Sequence, residues 1–149
     1  MMRHFYLYLI KEEFANHFFG REFKIFRLFQ DYIWTSSDHH VYPVLKQQVE
    51  YVTKTIPVIY LDEWMKTFLS KREDYQYVTP IHKIYLSKKR GNATLLLKDR
   101  YIEITSSGSY EAETVFFEIL RKFDTCFLAI DFQNEQYGWL NPIKKRNFV

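Results

Sequence analysis

Only two of the chain's five histidines, His39 and His40, stand side by side. Adjacent residues on a helix point about 100° apart, so this pair does not converge on one metal ion and reads as the solvated start of a helix. Asp131 lies inside the apolar run CFLAIDF, where a carboxylate can be perturbed, but no histidine or second acid stands at a recognisable spacing from it. It reads as a strand-end aspartate satisfied by backbone. Four glycines in 149 residues leave no room for a phosphate-cradling or dinucleotide-binding loop. The residue types give catalysis no support, and no metal or cofactor is expected.

Residues 11–20, KEEFANHFFG, carry a different kind of chemistry. On a helix Phe14 and Phe18 share a face, and Ala15 and Phe19 lie on the adjoining flank at the same spacing. A short helix at a domain edge buries one such pair and leaves the other near solvent. Two readings follow: aromatics at helical spacing are core, or the exposed pair is a set of rigid anchors for a partner.

A second mixed surface falls on the helix expected over residues 40–53, with Pro43 in its first turn, where a missing amide costs little. At 100° per residue Leu45, Val49 and Val52 form its core stripe, and Val44, Gln48 and Tyr51 form a shoulder. Half apolar and half hydrogen-bonding, that shoulder has the composition of an interface border.

The elements that must position these residues follow from pattern. Residues 5–10, FYLYLI, form a first strand bounded by charge. Gly20 ends the first helix in a left-handed conformation, and residues 21–34 restart with Ile25, Leu28, Phe29 and Tyr32 at helical spacing. After an extended link over residues 56–60, Leu61, Trp64, Met65 and Phe68 define a short helix, and SKREDY is a charged connection. A strand is expected over residues 81–86, then a hairpin, TLLLK and YIEIT, around Asp99 and Arg100. A glycine would suit that turn better than Arg100 does. Ser109 is the expected N-cap of a helix whose core face is Ala112, Val115, Phe116, Ile119 and Leu120; acids begin it and Arg121 and Lys122 end it, as the helix dipole favours. CFLAIDF and QYGWLN close the fold as strands around residues 133–135, and the basic tail PIKKRNFV follows.

Composition bounds the class. A chain of this length is one domain, residues 1–149, and buries roughly 70% of its unfolded surface. Aromatics make up 19% of it, with 12 Tyr and 14 Phe, which predicts a bulky core and amphipathic rings at the surface. The formal charge of +3 is too small to argue for nucleic acid or membrane by field alone. Single Cys126, in an apolar run, reads as buried, and a lone cysteine fits a reducing compartment. FYLYLI is too short for a signal-peptide core or a membrane span, so the expectation is a cytoplasmic protein.

Three stretches, KEEFANHFFGRE at residues 11–22, YEAETVFFEIL at 110–120 and YGWLNPIKKRNFV at 137–149, resemble the SirA family, sporulation inhibitors of replication from endospore-forming bacteria. The likeness runs over almost the whole chain. It implies a protein that binds domain I, the N-terminal domain, of the replication initiator DnaA and prevents new rounds of replication in cells committed to sporulate. Phe14, Phe18, Gln48 and Tyr51 match the positions with which the family contacts DnaA. Position 18 is Phe where a Tyr stands in some relatives, which removes a hydroxyl and keeps the apolar anchor.

The expected fold is therefore α+β, a two-layer sandwich of a mainly antiparallel sheet with helices packed on one face. The expected function is stoichiometric inhibition of replication initiation, without turnover. The alternative is a regulator that binds nucleic acid at the origin directly, on Lys88, Lys89 and Arg90 and the plentiful aromatics. Asp and Glu spread through the same segments weaken counterion-release binding and make direct contact with nucleic acid the lesser reading.

Overall fold

In the computed structural model, which describes residues 2–141, the first apolar run is β1 (Met2–Leu9) and lies inside the sheet with a strand on each side. It pairs antiparallel with β5 (Ile102–Ser107) and with β6 (Phe127–Asp131). β2 (Tyr75–Val78), β3 (Ile81–Ser87), β4 (Gly91–Leu97) and β5 form a meander on one side, and β7 (Gln136–Trp139) extends the other, in the order β2-β3-β4-β5-β1-β6-β7. Every pairing is antiparallel. The helices are α1 (Glu12–His17), α2 (Glu22–Trp34), α3 (Tyr42–Val52), α4 (Val58–Leu69) and α5 (Glu111–Phe123).

Directly paired strand residues share a face, so register assigns the layers. Leu7, Ile102 and Leu97 are opposed in one row and Ile104 and Leu95 in the next, all buried. α5 covers this face: Ala112, Phe116 and Leu120 are fully buried and the Phe117 ring stands edge-on to Phe5 at 5.4 Å. α4 lies beside α5, with the Trp64 indole donating to the Ile119 carbonyl at 3.0 Å. Arg3 at the start of β1 pins the start of α5 through a two-pronged ion pair with buried Glu113, at 2.9 and 2.6 Å.

The α+β class and the antiparallel sheet hold, but the helices are not all on one face. Tyr8 points opposite to Leu7, and its ring meets Phe29 of α2 at 4.4 Å. Phe26 stacks on Tyr137 of β7 at 5.0 Å, and the Trp139 indole donates to Glu22 at 3.0 Å. α2 thus covers the second face at the β1–β6–β7 end, with α3 leaning on it through stacked Tyr32 and Tyr42. The physical reason is in β1 itself: an unbroken apolar run has apolar side chains on both faces, and both need cover.

Other differences are local. α4 begins at Val58, directly after Pro57, and not at Leu61; the Leu61 amide donates to the Pro57 carbonyl at 2.9 Å. β2 begins where a charged connection was expected, its four residues alternating half-buried and exposed. Tyr110, not Ser109, is the N-cap of α5, and the Ser109 hydroxyl accepts from the Glu111 amide from one residue further out. The β4–β5 turn closes around Asp99 and Arg100 through a bond from the Lys98 amide to the Tyr101 carbonyl at 3.1 Å. It does so without a left-handed arginine, since Glu135 (φ 52°) is the one non-glycine residue at positive φ among those described. Cys126 is buried just before β6, and Gly20 is left-handed (φ 81°). The basic tail, residues 142–149, lies outside the described residues.

Candidate partner-binding site

Backbone hydrogen bonds bring α1 and the end of α3 together. As β1 runs out, Ile10 forms an antiparallel bridge with Thr53, the Lys11 amide donates to the Val52 carbonyl at 2.9 Å, and the Lys54 amide donates to the Leu9 carbonyl at 2.7 Å. The first turn of α1 is therefore fixed against the last turn of α3. Ala15, 0% exposed, is the residue of α1 that enters the core.

That leaves Phe14 half-buried and facing Tyr51, the two rings meeting edge-on at 5.2 Å. The Lys11 ammonium stands 4.9 Å from the centre of the Tyr51 ring. Tyr51 is nonetheless 64% exposed, and neither its hydroxyl nor the Gln48 amide has a hydrogen-bond partner among the described residues. Gln48 and Val44 are exposed one and two turns back along α3, while Val49 and Val52 are buried and Leu45 is half-buried. The shoulder and the stripe fall where 100° periodicity puts them.

Phe18 takes the position just after α1, half-buried, with the His17 ring edge-on to it at 4.7 Å; Phe19 is 41% exposed. The competition between the two apolar pairs thus ends in neither pair's favour, with Ala15 inside, Phe14 and Phe18 at the border and Phe19 outside. The structure brings Phe14 and Tyr51 into contact. Phe18 lies one turn along α1 and Gln48 one turn back on α3, without ring contact or hydrogen bond between them. Sequence reading did not place Lys11 here. Its signal was available in the cation directly ahead of the aromatic helix, but not the bridge that sets it over Tyr51. The tyrosine is not alone in its exposure, since Trp34, Ile59 and Tyr60 also stand out from the surface.

The group most like a reaction centre lies elsewhere. His82 on β3 is fully buried, with Nε2 2.8 Å from Asp62 of α4 and Nδ1 2.7 Å from the Tyr75 hydroxyl. The Tyr77 hydroxyl donates to the other Asp62 oxygen at 2.8 Å, and Lys66 stands 3.6 Å away. Burial lowers the His82 pKa against the pull of Asp62. Burial works to raise Asp62, but hydrogen bonds from Tyr77 and His82 outweigh it, and its pKa is lowered. The pair is therefore a neutral imidazole donating to an ionised carboxylate, with Tyr75 donating to Nδ1. Both ring nitrogens are occupied by fixed partners and no serine or cysteine reaches them, so the cluster works as a polar rivet joining β2 and β3 to α4. Asp131 is similarly held, accepting from the Asn134 amide at 3.1 Å and its side chain at 2.7 Å. Among the described residues no three His, Cys, Asp or Glu side chains gather as a metal site, and no helix is long and apolar enough to cross a membrane.

Fold and surface together define an α+β domain whose distinctive feature is an exposed aromatic and amide ledge, built by one short helix and the end of another. The chain belongs to the SirA family: the family profile, described as Sporulation inhibitor of replication protein SirA, matches residues 3–144. It is 53% identical over 149 residues, 100% of both chains, to the Sporulation inhibitor of replication protein SirA of Bacillus subtilis (strain 168).

Proposed function

We propose that this protein inhibits chromosome replication during sporulation, as the name of its Bacillus subtilis relative says of that protein, by binding domain I of DnaA in the cytoplasm. Phe14, Phe18, Gln48 and Tyr51 form the contact, and inhibition is stoichiometric, with no turnover. The observation that carries the reading is the Phe14–Tyr51 ring contact across α1 and α3. It joins two of the four residues across two separate segments, with Phe18 one turn along from Phe14 and Gln48 one turn back from Tyr51.

A rigid, exposed aromatic loses little conformational entropy when it docks, and that is why Tyr is enriched among binding hot spots. Phe14 and Phe18 supply apolar surface to a groove on the partner, and the unpartnered Gln48 amide and Tyr51 hydroxyl supply hydrogen bonds at its edge. Covering that surface of domain I denies it to factors that promote DnaA assembly at the origin. Calorimetric titration of DnaA domain I into this protein, with a sizing column on the mixture, tests the reading. A saturable complex of one to one is expected; no heat and no co-elution would remove it.

A further inference from the structure

The side of α3 turned away from Gln48 and Tyr51 lines an open-mouthed cavity of about 500 Å³, walled by α2 and by the β4–β5 turn. Lys46, Val49, Glu50 and Thr53 recur along that side at helical spacing. The volume falls in the range of small-molecule sites.

Two cations face it. The Arg100 guanidinium donates to the Thr55 hydroxyl at 2.9 Å, the Thr53 hydroxyl at 2.7 Å and the Glu50 backbone carbonyl at 3.2 Å. All three acceptors are neutral, so the guanidinium is fixed in orientation and keeps its charge for an oxyanion. Lys46 has no ion pair among the described residues. Three half-buried tyrosine rings supply flat apolar surface: Tyr32 stacked on Tyr42 at 5.4 Å, and Tyr101 tilted against the buried Tyr8 ring at 5.9 Å. Burial raises the pKa of Tyr8, and burial with the bond to Tyr42 raises that of Tyr32, so both stay neutral and repel no anion.

Tyr8 lines the cavity, and its hydroxyl, which has no hydrogen-bond partner among the described residues, is one of the polar groups of the wall. The Glu50 carboxylate, likewise without a partner among the described residues, is an acceptor on the same wall.

We propose that this cavity binds a mononucleotide-class ligand, a planar ring bearing phosphate, with the phosphate on Arg100 and Lys46, the ring against the tyrosines and its donor groups on Glu50. The proposal is independent of the DnaA reading, because it uses the opposite side of α3.

Calorimetry on the full chain with each of the four ribonucleoside monophosphates, with adenosine and with inorganic phosphate tests it. At least one monophosphate is expected to bind saturably, with adenosine and phosphate at least about tenfold weaker. Lys46→Gln and Arg100→Gln should each weaken that binding by about tenfold or more. Lys46 is exposed and unpaired, so Lys46→Gln gives a clean answer even if Arg100→Gln loosens the turn. No saturable binding at millimolar ligand, equal binding of inorganic phosphate as an adventitious ion only, or unchanged affinity in Lys46→Gln would each overturn the proposal.

Discussion

His82 is the residue whose protonation the fold opposes most directly. Its pKa lies below the ordinary value because burial disfavours the cation, so below pH of about 6.5 the unfolded chain takes up a proton that the folded chain does not. Stability is therefore full above that value and falls as pH drops, by up to about 1.4 kcal/mol per pH unit for one proton. Asp62, also lowered, adds a further loss in more acidic solution as its carboxylate is protonated. Thermal melts from pH 7.5 to 5 should show this slope, and His82→Gln, less stable at neutral pH, should flatten it; equal slopes would place the acid sensitivity elsewhere. No sequence spacing announced this cluster, since Asp62 and His82 meet only when α4 is laid against β3. The exposure of Gln48 and Tyr51 was legible because it depends on the pitch of a single helix, whereas the half-burial of Phe14 was not, because it depends on how α1 is laid against α3.

At the scale of elements, the junctions are tighter than the elements themselves. Gly108 (φ 83°) and Gly91 (φ 100°) face each other where β5 leaves for α5 and the β3–β4 turn ends, and a Cβ on either would run into the backbone beside the other. Gly108→Ala should cost about 2 kcal/mol or more, from a strained conformation plus a clash that no side-chain rotation relieves. Gly138→Ala in β7, where nothing stands within 4 Å, should change the melting temperature little. Equal melts for the two variants would show that the Gly91–Gly108 approach relaxes freely. Helices with a complete apolar stripe, α3 and α5 above all, could be read from the chain almost to their ends. The start of α4 could not, because Val58 and Ile59 are β-branched and follow a proline, a local preference that packing of Leu61, Met65 and Leu69 overrides. β2 was hidden for a similar reason: its half-buried Tyr75 and Tyr77 owe their place to His82 and Asp62.

The whole molecule divides its surface by chemistry. α4 and α5 serve one face of the sheet, α2 the other, and α1 with the end of α3 forms a ledge where β1 runs out. Strand order and the split of helices between faces were not legible, because both depend on which strands flank β1. Composition carried only the class. The division predicts insulation: Lys71→Glu after α4 and Lys122→Glu near the end of α5 should leave binding to DnaA domain I unchanged, with stability within about 0.5 kcal/mol of the parent. Loss of the complex in either folded variant would put the interface on another face. Phe14→Ala is a less clean probe than it looked from the chain, since its half-buried ring supports α1 as well as Tyr51. Tyr51, 64% exposed and with a free hydroxyl, carries the central claim with least structural cost. The most direct measurement is the calorimetric affinity of Tyr51→Ala for DnaA domain I, with a thermal melt of the same sample. A loss of about 2 kcal/mol or more in binding at an unchanged melting temperature is expected; parental affinity in the folded variant would contradict it.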